Sequence, residues 1–500
     1  MRVSALSPAA SRRRLAILAC AGLAGAALPA ALAASPALAA DSPVCTSTAT
    51  TVTCTFAYDT NGYSWTVPVG VTTLNVTADG GSGQGRALGG TGGTGAEFLA
   101  TITGAAGQTL AVTTGGAGSG RTGGTNGGGT GGTGLTTLGA GGGGGGETVI
   151  TAGATTLVVA GGGGGGAAGN AGGAAGTSSS TTAALTTGAN GASAASPLDT
   201  GGRGGSTVGA TGGAAGAQFL CSGTTAGIAL LGGHGANCPV TGGGGGGGGY
   251  FGGGGGGGSS GGGGGSSYPS AAFTAAGFTV TPVTATGSNT GNGEVIITYA
   301  RVTTSTTLTT SGSPSNPGQP VTFTATVTPT DGSGTVAFDN NGTPIPGCTS
   351  QPLTLQSGST YTATCTTSTL PLGENPITAS YGGDTSYLPS MSSPLDQDVI
   401  IPAPTRLRAF GQVTPTGHIY VSAQLTSDGS PVSGELISFT TVLASMPACT
   451  ATTNGLGIAT CEATGEAAVL IALGHGAFTA SYAGSVEYRP AHALGIINGH

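Results

Sequence analysis

Apolar and polar residues alternate with a period of two along several stretches of the chain. Thr51-Val52-Thr53-Cys54-Thr55-Phe56, Thr73-Leu74-Asn75-Val76-Thr77 and Val321-Thr322-Phe323-Thr324-Ala325-Thr326-Val327 each send every second side chain to one face. That period predicts half-buried β-strands, because successive strand side chains point to opposite sides of the sheet. Further strands are predicted at 63–68, 96–103, 109–114, 147–151, 155–160, 277–283, 291–299 and 419–425. Asn340-Asn341-Gly342 supplies a type I′ hairpin turn. The expected fold class is all-β.

Between the early strands stand pure glycine runs at 141–146, 161–166, 242–249, 252–258 and 261–265. Of the 106 glycines, 82 fall within residues 41–300 and 22 within 301–500, so two kinds of structure are expected to join near Arg301. With 26 prolines besides, the composition sits where aperiodic Gly and Pro enrichment usually means disorder. A mean hydropathy of +0.21 and only 6% charged residues argue against that reading, as do strands on both sides of the runs.

The order "TVPVGVTTLNVTADGG", "LVVAGGGGGG", "GGGGGGGGYFGGGGGGGSSGGGGGSSY" and "GNGEVIITY" resembles a bacterial glycine-rich domain. That domain is related to the ligand-binding region of the anaplastic lymphoma kinase and leukocyte tyrosine kinase receptors. The resemblance covers about residues 55–300. It implies a jelly-roll-like β-sandwich from which the glycine runs emerge as packed polyglycine II helices. Such helices have no internal hydrogen bonds, and only glycine lets neighbours come close enough to share N–H···O=C and Cα–H···O contacts.

Residues 301–400 and 401–500 read as two copies of one module. Thr378-Ala379-Ser380-Tyr381 recurs as Thr479-Ala480-Ser481-Tyr482, and Phe338, Cys348, Tyr387 and Pro389 recur as Phe439, Cys449, Tyr488 and Pro490. A duplicated unit of this size is expected to be a β-sandwich. The first copy, with "NPGQPVTFTATVTP" and "ITASYGGDTSYLPS", resembles bacterial Ig-like repeats, which implies a stalk or spacer. The second copy diverges, with Ser485 where the first has Asp384.

Arg12, Arg13 and Arg14 precede an apolar run from Leu15 to Leu28, followed by Ala37-Leu38-Ala39. These are the parts of a secretory signal over residues 1–40, so export is expected, by a general or a twin-arginine route. A lipobox-like Ile17-Leu18-Ala19-Cys20 is the lesser reading. No later run is long and apolar enough to span a membrane, and the last residues carry no sortase-type signal. All 11 basic residues are Arg and four lie at the N-terminus, leaving 7 against 18 Asp and Glu. A nucleic-acid partner is therefore excluded. The expected location is extracellular, secreted and in one variant associated with the cell wall.

Beyond Cys20, eight cysteines form four close pairs: Cys45 with Cys54, Cys221 with Cys238, Cys348 with Cys365 and Cys449 with Cys461. In an oxidising compartment, clustering favours nearest-neighbour disulfides; a metal site is the rival, weakened because no pair has CxxC spacing. The pairs at 348–365 and 449–461 are expected to be local bridges rather than links between sheets.

Catalytic chemistry has no visible carrier, and neither cofactor nor metal is expected. Gly257-Gly258-Ser259-Ser260-Gly261 satisfies GxSxG and Gly141–Gly146 satisfies GxGxxG, but only because the text is glycine. Asp384 is expected to cap a turn, with a calcium ligand as the alternative. Tyr250 and Phe251 between two runs, with Tyr268 after the third, are candidates for aromatic contact with a ligand; the plainer alternative is that they cap the lattice or fill the core. Trp65 is expected in the core. The function expected is a noncatalytic exported protein that adheres or self-associates through its glycine-rich part, carried on two Ig-like spacers. Its partner would be an extracellular protein or glycan. The alternative is a carbohydrate-binding accessory of cell-wall or polysaccharide metabolism.

Overall fold

The computed structural model describes residues 41–86, 89–176, 187–195, 198–206 and 211–497. Residues 1–40, where a secretory signal is expected, with Cys20, and His500 lie outside the described residues. Strands dominate, every strand pair is antiparallel, and one α-helix, Gly465–Leu473, occurs among the described residues.

Two sheets form the first sandwich. A seven-stranded sheet runs Val44–Ser47, Thr51–Phe56, Val295–Ala300, Thr73–Asp79, Gly95–Thr103, Phe278–Asn289, Phe273–Ala275. A four-stranded sheet runs Tyr63–Thr66, Thr109–Thr113, Thr148–Ala152, Thr155–Ala160. The period-two pattern is what buries one face: Val52, Cys54 and Phe56 are fully buried, as are Leu74, Phe98, Ile102 and Leu110. Trp65 packs half-buried against Phe56, with ring centroids 5.8 Å apart.

The following strands make two more sandwiches. The first pairs a sheet built on Val321–Thr328 and Thr360–Thr367 with one built on Thr335–Asn340 and Gly373–Tyr381. The second repeats the plan with Ile419–Ser427 and Ile458–Ala463 facing Leu436–Thr441 and Ala477–Tyr482. Each begins with the same device. Val302 makes a parallel bridge to Tyr387, and Ala403, 101 residues on, makes one to Tyr488. Asp384 caps its turn, accepting from the backbone N–H groups of Ser386 at 2.7 Å and Tyr387 at 2.9 Å.

All four cysteine pairs are disulfide-bonded. One expectation needs correction for both Ig-like modules: Cys348, whose carbonyl accepts from the Phe338 amide of one sheet at 3.0 Å, is bridged to Cys365 on Thr360–Thr367 of the other. Cys449 lies on Pro447–Thr452 and Cys461 on Ile458–Ala463, which belong to different sheets. The chain crosses between sheets in the short turn after Thr452, so cysteines near in sequence land on facing layers, and the bridge joins them.

Candidate functional site: the glycine lattice and its tip

The glycine runs follow a threefold rule. Along 161–166 a Cβ added at Gly161 would meet the carbonyl of Gly265, one at Gly162 that of Gly145, and one at Gly163 that of Gly93. Three residues on, Gly164 faces Gly262, Gly165 faces Gly142 and Gly166 faces Thr91. The amide groups obey the same period: Gly162 and Gly165 donate to Gly248 and Gly245, Gly163 and Gly166 to Gly81 and Gln84. Three residues per turn with every bond to a neighbouring segment defines packed helices of polyproline II type. Segment 161–166 is thus surrounded by six others: 80–84, 91–95, 141–146, 171–175, 243–248 and 261–265.

The same reading at 141–146, 243–248, 252–257 and 261–265 returns six neighbours each time, giving a hexagonal array in four rows. The outer row holds 122–125, 128–134, 232–236 and 225–228. The next holds 116–118, 141–146, 243–248, 252–257 and 212–217. The third holds 80–84, 161–166, 261–265 and 200–205, and the last 91–95, 171–175 and 188–192. The five pure glycine runs are the five fully surrounded positions. A Cβ at Gly163 would lie 2.0 Å from the carbonyl oxygen of Gly93, so in the native structure a Cα–H points at that oxygen instead. Perimeter helices carry side chains that the enclosed runs lack, outward ones as at exposed Thr130 and Thr133, whose hydroxyls meet His234 and Asn237 of the next helix at 2.7 and 3.0 Å.

Five sandwich strands feed this array at one end: Thr73–Asp79, Gly95–Thr103, Thr109–Thr113, Thr148–Ala152 and Thr155–Ala160. That base holds two unusual carboxyls. Glu147 is buried, and its Oε2 has no hydrogen-bond partner but lies where Cβ atoms of Gly127 and Gly248 would be, in the place of a lattice carbonyl. Burial pushes its pKa well above the usual carboxylate range. Asp79 is raised to about 6 by burial first, then by the charges of Glu97 and Glu294.

The candidate aromatics also sit at the base. Tyr250 stacks on Tyr268 with centroids 4.3 Å apart, Phe251 meets Tyr250 edge-on at 5.1 Å, and Tyr268 continues to Phe273 at 5.4 Å. All three are half-buried, and Tyr268 pairs with Val159 of the sandwich. They form one ladder from lattice to sheet. Ser259 and Ser260 of the GxSxG match form a turn, where Ser260 Oγ accepts from Ala194 and donates to the carbonyl of Asp199. Among the described residues no three His, Cys, Asp or Glu side chains converge as metal ligands.

The far end of the array is a different surface. Leu135, Leu198, Phe219, Leu220 and Val240 are exposed there, between 52% and 79%. The Cys221–Cys238 disulfide lies under this strip, its sulfurs at 2.9 and 3.0 Å from where a Cβ on Gly258 would be. Phe219, Leu220 and Val240 border a hollow of about 380 Å³ with Asp199, whose Oδ1 accepts from the Phe219 amide at 2.9 Å. Leu220 has φ of 55°, the left-handed region, while its side chain is 78% exposed. For a branched residue that conformation costs roughly 1–2 kcal/mol, which glycine would avoid. The sequence reading missed these residues. Its available signal was the apolar pair Phe219-Leu220 beside Cys221, interrupting glycine-rich text.

The chain is thus an all-β protein of Ig-like sandwiches preceded by a sandwich that carries a glycine lattice. Residues 308–400 match the bacterial Ig-like domain (group 3) family. No curated protein matches the chain. Among solved structures, it is similar to the Yersinia pseudotuberculosis adhesin InvE, at 18% identity over 39% of this chain and 59% of the adhesin chain, with a TM-score of 0.16. It is also similar to the ectodomain of mouse nectin-like molecule 4, at 11% identity over 42% of this chain and 80% of that one, with a TM-score of 0.18. The major pilin subunit of Bacillus cereus matches at 9% identity over 46% of this chain and 90% of that one, with a TM-score of 0.13. At these scores the likenesses carry no functional argument.

Proposed function

We propose that the protein is a noncatalytic, exported adhesion protein whose contact surface is the tip of the glycine lattice. Residues 1–40 direct export, 41–300 form the glycine-rich domain akin to that of the receptor kinases named above, and 301–400 and 401–500 are Ig-like spacers. The observation that carries the reading is Leu220. In a chain with 106 glycines, a leucine occupies a left-handed turn position, contributes nothing to a core, and projects from a disulfide-pinned strip of apolar side chains. Strain kept at a water-exposed apolar residue is explained by contact with a partner. Four disulfides support an oxidising, extracellular setting.

Binding of the full chain to immobilised extracellular proteins and glycans tests this. Phe219→Ser with Val240→Ser should abolish binding while the melting temperature stays unchanged. Undiminished binding, or turnover in a hydrolase screen, would overturn the proposal. Loss on Tyr250→Ala alone would place the contact at the aromatic ladder and favour the carbohydrate-binding reading.

A further inference from the structure

The two Ig-like modules differ at one pole. In each, the chain enters at a proximal pole and the strands return to a distal one. At the first module's distal pole the hairpin turn is Asn340-Asn341-Gly342 and the chain passes directly into the second module. There the Asn316 side-chain amide lies 2.9 Å from the carbonyl of Val486 and 3.1 Å from that of Ile400, both of which its nitrogen satisfies when turned towards them, so this pole meets the next module through polar groups. At the second module's distal pole the positions matching Asn341 and Gly342, 101 residues on, are Val442 and Leu443, exposed by 46% and 58%.

The same pole carries the helix Gly465–Leu473, where the first module has only the turn Ser368–Leu372. Its sequence, GEAAVLIAL, is apolar around the whole circumference after Glu466. Ala467 and Ile471 face the core, while Val469 and Leu473 face water, 55% and 67% exposed. A helix apolar on every side belongs in an interior. Leu443 lies beside the end of this helix, 3.4 Å from where a Cβ on Gly474 would be, so turn and helix make one continuous patch. Charged groups stay at its rim: Glu466, and the His418–Glu462 pair at 2.5 Å.

We infer that this pole is an interface between two copies of the chain, which meet distal pole to distal pole about a twofold axis. Three observations select a second copy. The first module shows that a distal pole is where this architecture stacks on another module. The proximal poles of a second copy are engaged already, the first module's by the glycine-rich sandwich, where the Tyr387 hydroxyl meets the Val69 carbonyl at 3.3 Å, and the second's by the first module, where Asn316 lies beside Val486, which leaves the like pole as the partner surface. The chain is acidic, with formal net charge −7, so copies repel except at a surface without charge, and a patch of Val and Leu is complementary to itself.

Sedimentation velocity of the full chain between about 1 and about 100 μM, the range of weak interfaces, decides the matter. The sedimentation coefficient should rise with concentration towards that of a dimer, and Leu443→Asn with Leu473→Asn should weaken association at least tenfold. Both sites are exposed, so circular dichroism should not change; Val469→Glu, on the same outward face, repeats the test if the pair misfolds. A wild-type chain that stays monomeric throughout would overturn the inference, as would a dimer that survives both variants. Phosphatidylcholine vesicles that bind the monomeric wild type and not the variants would assign the patch to a lipid surface instead. The lattice tip takes no part in this contact, so the two readings fail separately.

Discussion

The hydroxyl of Tyr387 donates to the carbonyl of Val69, 318 positions earlier, at 3.3 Å, and so ties the first Ig-like module to the glycine-rich sandwich. Around this bond, Tyr299 Oη and Ser386 Oγ meet at 3.0 Å, and Gly70 is packed so closely that a Cβ would lie 2.7 Å from Val302. The junction is a packed joint. Tyr387→Phe keeps the ring and removes one bond, so stability measured by denaturant should fall by about 0.5–1.5 kcal/mol.

Lattice interior and perimeter should respond oppositely to one methyl group. Gly163→Ala drives a Cβ to 2.0 Å from a backbone carbonyl that six-sided packing holds in place, and should cost at least about 3 kcal/mol. Thr130→Ala, on the exposed third of a perimeter helix, should stay within about 1 kcal/mol of wild type. Equilibrium unfolding of both variants measures the contrast.

Leu220→Gly separates stability from binding. Relief of the left-handed leucine should stabilise the tip by roughly 1 kcal/mol. The same change deletes an exposed apolar side chain, so binding should weaken while hydrogen-exchange protection at 218–224 rises or holds.

Asp79 and Glu147 bind their protons more tightly in the folded chain than in the unfolded one. Their contribution is therefore fully present below the unfolded carboxyl range, at about pH 4 and under, and is lost as pH rises through the raised range of each group, which for Asp79 is about 6. Unfolding followed from acid to mildly alkaline pH should show falling stability. Asp79→Asn and Glu147→Gln should each flatten the slope.

Much of the fold was legible because it rests on local rules. Period-two text marked the strands whose inner faces are buried, as at Val52, Cys54 and Phe56 and at Val321, Phe323, Ala325 and Val327. The offset of 101 was legible too, since Val302–Tyr387 and Ala403–Tyr488 reuse one bridge. Lattice order was not. Which glycine run touches which depends on side-chain-free segments that are interchangeable in sequence, and only three-dimensional packing distinguishes 161–166 from 243–248. The helix Gly465–Leu473 escaped because it lacks an amphipathic period. The tip escaped because exposure, which makes Phe219 and Leu220 informative, has no signature in composition. Tyr250, Phe251 and Tyr268 stood out as aromatics in glycine, yet their stacking on one another follows from chain reversals at the lattice base.

The absence of side chains inside the lattice reaches the thermal behaviour of the protein. Unfolding a conventional core exposes hydrocarbon to water and raises the heat capacity, whereas unfolding the lattice exposes chiefly peptide groups, whose hydration lowers it. The lattice should therefore have a flat stability curve, gaining little from the hydrophobic effect when warm and losing little of it in the cold. Resistance to cold is built into a structure whose cohesion lies in its backbone.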